Sequence, residues 1–145
     1  MNLMGSVYTA KYAVKAMSRN TPNEMGERGS IIFISSVCAD EGGAPTSAYS
    51  CSKGALNGLL MPMARDLGRF GIRTNAIAPY TFNTEMAQLM PQYLIDICES
   101  YCPLGRIGDA DKEFTHFAQA IFENSFANGR SYRLDGGAIL PYLKV

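Results

Sequence analysis

The sequence predicts an α/β fold: a doubly wound parallel sheet with about three strands and flanking helices. Three observations predict it. An apolar, β-branched run at Ser30–Ser35 ends in serine, a long helical pattern covers Thr46–Phe70, and a second strand-like run follows at Arg73–Ala78. Strand, helix and strand joined by short links make a βαβ unit. The run Gly29-Ser30-Ile31-Ile32-Phe33-Ile34-Ser35-Ser36 has no polar alternation, as expected of a strand buried on both faces.

Each element has its own justification. Leu3–Arg19 reads as a helix with Leu3, Val7, Ala10, Val14 and Met17 on one side. Thr46–Phe70 reads as a long helix, with Ala55, Leu56, Leu59, Leu60, Met63, Ala64 and Leu67 at three-to-four spacing and Gly71 as its stop. Pro62 lies inside it and predicts a kink. A short helix is expected near Pro91–Tyr101, another at Asp109–Asn124, and a third strand at Ser131–Leu134. The stretch from Tyr80 to Arg106, with Pro91, Pro103 and Gly105, is the least regular.

The chemistry-bearing residues cluster around the βαβ unit. Tyr49 and Lys53 are four apart, so on a helix they share a face. A neighbouring cation favours a phenolate, which makes such a phenol a usable acid or base. Ser36, at the carboxyl end of the first strand, stands where open α/β sheets place ligands. Its hydroxyl can hold the oxygen on which the phenol acts. None of these groups accepts a hydride, so redox chemistry here requires a borrowed cofactor. A tyrosine–lysine pair alone is most often an exposed helix pair; the strand and serine ahead of it change that reading.

On these residues the chain resembles the short-chain dehydrogenase/reductase family over nearly its whole length. The resemblance implies a Rossmann-type sheet and a catalytic set of Ser36, Tyr49, Lys53 and Asn2, the last in Asn2-Leu3-Met4-Gly5. In the family that asparagine holds a water that extends the proton relay. The resemblance also implies NAD as cofactor, with Tyr49, Lys53, Pro79 and Thr84 among the binding residues. The wording is closest to the branch acting on 3-hydroxyacyl-CoA and hydroxysteroids, in Pro62-Met63-Ala64-Arg65-Asp66-Leu67 and Asn128-Gly129 followed by Arg133-Leu134-Asp135-Gly136. The implied substrate is an apolar alcohol or acyl-CoA. The implied partner is a second copy of the chain, paired through helices 3–19 and 46–70. The implied location is the mitochondrial matrix or the cytoplasm.

Two departures are plain. The family's T-G-x-x-x-G-x-G turn is not found in these residues, and Gly42-Gly43 and Gly136-Gly137 do not open a helix after a strand. The 145 residues are therefore expected to form one incomplete domain, the catalytic half. Pro79 is followed by Tyr80 where the family usually has glycine, which predicts a bulky side chain and a cost at positive φ.

Composition agrees with an α/β domain. Apolar residues make up 47% and charged residues 18%, and the net charge is zero, which provides no electrostatic case for nucleic acid or a membrane surface. No apolar run approaches membrane-spanning length, and Met1-Asn2-Leu3-Met4 reads neither as a signal peptide nor as a presequence. Four cysteines (Cys38, Cys51, Cys98, Cys102) are expected to be reduced, with Cys51 packed as a small residue and no metal site. His116 is expected on a helix surface. Tyr80, Phe82, Met86, Met90, Tyr93 and Tyr101 suit an apolar substrate and equally suit plain packing.

Overall fold

The computed structural model describes residues 2–43 and 45–140. The main sheet has three strands, β1 (Gly29–Ile34), β2 (Ile72–Pro79) and β5 (Ser131–Leu134), in the order β1-β2-β5. Both pairings are parallel, with Ile34 opposite Ile77 and Pro79 opposite Leu134. Two short strands, β3 (Phe82–Asn83) and β4 (Gly108–Asp109), form a separate parallel pair that the sequence pattern did not announce. At two residues each they carry no periodicity to read.

Helices cover both faces of the sheet. α1 (Met4–Met17) and α2 (Ser47–Gly68) lie on one face, because Ala10 joins Leu56, Leu60, Phe33 and Ala76 in one buried cluster. Along β2 successive side chains alternate between faces, so Arg73 points away from Ala76. The Arg73 guanidinium donates to the carbonyls of Ile121, Phe122 and Ala127, which places α5 (Thr115–Glu123) on the opposite face. β2 is buried along Ile72–Ala78, as a central parallel strand must be. Leu56 and Leu60 are almost fully buried, and each contributes about 1.5–3 kcal/mol of burial free energy.

The expected elements recur with ends shifted by one or two residues at most, except in one region. Over the segment read as Asp109–Asn124 the chain makes a π-helical turn at Ala110–Phe114 and only then the α-helix α5. Glu113 explains the turn: it pairs with Arg106 and also accepts from the Asp109 N–H at 2.8 Å, pulling the chain back on itself. α2 continues through Pro62, which is exposed. Gly71 ends that run at φ +67°, and a Cβ there would collide with the carbonyl oxygen of Gly26. The irregular stretch after β2 holds α3 (Glu85–Gln88) and α4 (Gln92–Ser100). Among the described residues no helix is long and apolar enough to cross a membrane.

Candidate active site

Ser36 leaves β1 in extended backbone and caps the 3-10 turn Val37–Ala39. Its Oγ accepts from the Cys38 N–H at 3.2 Å and keeps its own proton free to donate. It is buried. Continuing the register of Ile34 opposite Ile77 sets Ser36 level with Pro79, so both stand at the carboxyl ends of neighbouring strands.

Tyr49 and Lys53 occupy the first two turns of α2. The Lys53 Nζ lies 5.6 Å from the centre of the Tyr49 ring, over its face, a distance at which cation and ring attract. Tyr49 is exposed, open to a ligand from solvent. Burial holds the Lys53 ammonium below the usual lysine range. The Nζ also donates to the Ile34 carbonyl at 2.7 Å, two residues before Ser36. Helix and strand end are thus joined through Lys53, which the sequence singled out, and a backbone carbonyl.

A second tie was not foreseen. Asn57, one turn beyond Lys53 on the same face of α2, accepts at Oδ1 from the Ser35 hydroxyl at 2.8 Å. Its Nδ2 donates to Asp40 at 3.3 Å. One amide therefore grips the chain on both sides of Ser36. The signal was available, since residues 49, 53 and 57 repeat at four-residue spacing. The Ile34 carbonyl had none, because any residue supplies one.

The remaining residues are more dispersed. Asn2 lines an open groove of about 540 Å³ together with Lys53, Ala10 and the strand residues Ile31–Ile34. Thr84 is exposed and caps α3, with Oγ1 accepting from the Ala87 N–H at 3.2 Å. No described contact ties Thr84 to Tyr49, Lys53 or Ser36. Tyr80 corrects an expectation: no non-glycine residue among those described has positive φ, so the tyrosine carries no such strain. Its hydroxyl instead donates to the Cys98 carbonyl at 3.2 Å, and burial pushes its phenol above the usual range. Cys51 is another correction, because it is exposed rather than packed. Its position on α2 faces away from the sheet while Leu56 and Leu60 face it. His116 lies on the exposed side of α5. Among the described residues no group of three or more His, Cys, Asp or Glu is gathered as a metal site needs. Of the aromatic and methionine residues after β2, Tyr80 and Phe82 line a pocket of about 140 Å³, whereas Met86 and Tyr93 are exposed.

Comparison with known proteins decides the family. The family model described as enoyl-(acyl carrier protein) reductase matches residues 1–138. The chain belongs to the short-chain dehydrogenase/reductase family. It is 42% identical over 137 residues to human 3-hydroxyacyl-CoA dehydrogenase type-2, covering 94% of this chain and 52% of that protein. It is 34% identical over 141 residues to human (3R)-3-hydroxyacyl-CoA dehydrogenase, covering 97% and 52%. The crystal structure of 3-hydroxyacyl-CoA dehydrogenase type-2 from Mycobacterium avium superposes with a TM-score of 0.90 at 31% identity, over 96% of this chain and 54% of that one. This short-chain dehydrogenase/reductase chain thus spans about half the length of the relatives it matches.

Proposed function

We propose that the chain is the catalytic half of an oxidoreductase that interconverts the secondary alcohol of a 3-hydroxyacyl-CoA with the corresponding ketone. The observation that carries this is the Lys53 ammonium lying 5.6 Å over the Tyr49 ring while it also donates to the carbonyl of Ile34, the strand's last residue, two before Ser36. Tyr49 takes the proton from the substrate hydroxyl in oxidation and returns it to the carbonyl oxygen in reduction. Ser36 donates its free proton to that same oxygen and orients it. Lys53 places positive charge beside the ring where negative charge develops. Names of similar proteins that act on 3-hydroxyacyl-CoA support the substrate class.

The residues present fit the nicotinamide end of NAD(H). Lys53 is a three-proton donor suited to ribose hydroxyls, and the Thr84 hydroxyl keeps a proton to donate, since its oxygen already accepts from Ala87. When bound, NAD supplies the hydride acceptor that the side chains lack. Asn2 in the groove beside Lys53 supports the fourth catalytic position.

A second reading rests on a different face. Met4, Tyr8 and Tyr12 repeat at four-residue spacing along α1 and are 52%, 55% and 70% exposed. An apolar stripe of that kind suits pairing of two copies, so the chain acts alone as an association module. Light scattering tests the second reading, since a chain that stays monomeric at working concentration would overturn it.

The test joins the chain covalently to the unmatched half of the human relative and follows NADH formation from 3-hydroxybutyryl-CoA. Turnover that Tyr49→Phe abolishes, with fold and NAD affinity kept, is the expected result. Turnover that survives Tyr49→Phe overturns the proposal.

A further inference from the structure

We propose that Glu41 is a positioning residue for the reaction: its carboxylate moors the loop that begins at Ser36 to β5, and so keeps Ser36 set for the oxygen on which Tyr49 acts. The effect on rate rests on the catalytic reading of Ser36 and Tyr49; the hold on the loop does not.

Glu41 lies between Ser36 and Tyr49 in the chain. The 3-10 turn Val37–Ala39 leads to it from Ser36, and the Glu41 N–H donates to the Val37 carbonyl at 3.1 Å. A shift of Glu41 is therefore passed to Ser36 through one hydrogen-bonded turn. The loop is tied on two sides. On one side Asp40 accepts from Asn57 of α2 at 3.3 Å, a long and exposed bond. On the other side the Glu41 Oε1 pairs with the Arg133 guanidinium at 2.6 Å. Arg133 belongs to β5, which β2 separates from β1. It stands opposite Ala78, one residue before Pro79, so the pair bridges the rim where Ser36 and Pro79 are level.

The second carboxylate oxygen has its own partner: the Glu41 Oε2 accepts from the Leu140 N–H at 2.7 Å. Arg133 is held in turn, with Nε donating to Asp135 at 2.5 Å and Nη2 to the Ala138 carbonyl at 3.2 Å. Gly136 and Gly137, both at positive φ, bring the chain after β5 back to these groups. Loop, strand and returning chain meet on one carboxylate. Such a network is a weak source of stability, because the Glu41 and Arg133 side chains are 25% and 33% exposed and water screens the pair. What it supplies is geometry. A planar guanidinium with partners on three sides has little freedom to swing, so it fixes the carboxylate in direction as well as distance. A misplacement of about 1 Å at a reacting group can cost about a hundredfold in rate, whereas loss of an exposed ion pair scarcely alters unfolding.

The experiment compares Glu41→Ala, Glu41→Gln, Arg133→Met and the double variant Glu41→Ala/Arg133→Met with the parent. Hydrogen exchange in the full chain reads the amides of Cys38, Ala39 and Asp40, which all donate within the turn at Ser36. Steady-state kinetics read the same variants in the covalently completed enzyme. Glu41→Ala should speed exchange at these amides about tenfold and lower kcat about tenfold, with KM kept within about twofold and the melting temperature within about two degrees. Arg133→Met should match it. Glu41→Gln keeps an acceptor for the Leu140 N–H and should lower kcat less, by about threefold. The double variant should be no worse than Glu41→Ala, since both changes cut one link. Unchanged exchange at the three amides, an effect confined to KM, or losses that multiply in the double variant each overturn the proposal. So does a melting temperature lower by more than about five degrees, because the network then acts through stability. If the completed parent turns over no 3-hydroxybutyryl-CoA, or keeps its turnover in Tyr49→Phe, the catalytic reading falls and takes the effect on kcat with it. Exchange at the three amides alone then judges the hold on the loop.

Discussion

Asn57→Ala removes the amide that grips the chain on both sides of Ser36. The Ser35 hydroxyl is 2% exposed and loses its 2.8 Å acceptor. Its one remaining acceptor is the Lys53 backbone carbonyl at 3.4 Å, a long and weak contact. A buried hydroxyl left nearly unpaired costs about 1–3 kcal/mol. The Asp40 bond, at 3.3 Å and exposed, adds little. Ser35→Ala should cost less, about 0.5–1.5 kcal/mol, because Asn57 is half-buried and finds water. The double variant should cost less than the sum by about 1 kcal/mol, which is the coupling of the pair. Denaturant unfolding of the three variants gives the cycle. In the covalently completed enzyme the same loss should lower kcat more than KM, since it displaces Ser36 and Lys53 without removing them. Purely additive single variants, or an Asn57→Ala variant as stable as the parent, would refute the reasoning.

Three further outcomes are expected. Arg73→Met breaks a buried ion pair with Glu27 (2.5 Å, 7% exposed on the arginine side) and strands three carbonyls of the α5 region; a loss of about 3–5 kcal/mol should appear as a markedly lower melting temperature, and a shift of a degree or two would contradict it. Glu113 is held at about 2 first by its bond to Arg106 and then by the Asp109 N–H. A depressed carboxyl stabilises the fold above its ordinary value of 4.5, and that contribution disappears as pH falls toward about 2. The difference in stability between the parent and Glu113→Gln should therefore shrink across that acid window in unfolding curves taken at stepped pH. Gly71→Ala puts a Cβ at φ +67° against the Gly26 carbonyl, so it should destabilise by more than about 1 kcal/mol in thermal unfolding.

Much of this molecule was legible from residue order alone. The Ser30–Ser35 run declared a parallel strand because a strand covered on both faces carries apolar residues in succession, and Arg73–Ala78 followed from its place after the long helix in a βαβ unit. The four-residue spacing of Tyr49 and Lys53 put them on one helix face because the α-helix repeats near that interval. Other features were decided only when distant segments met. That the Tyr80 hydroxyl reaches the Cys98 carbonyl and that Cys51 is exposed depend on a neighbour farther along the chain and on the direction a helix faces. The Lys53 bond to Ile34 belongs to the same class, since a backbone carbonyl is present at every position and becomes a partner only through packing. Local periodicity determines which elements form and which side chains share a face. Tertiary contact determines which of those side chains are free to act.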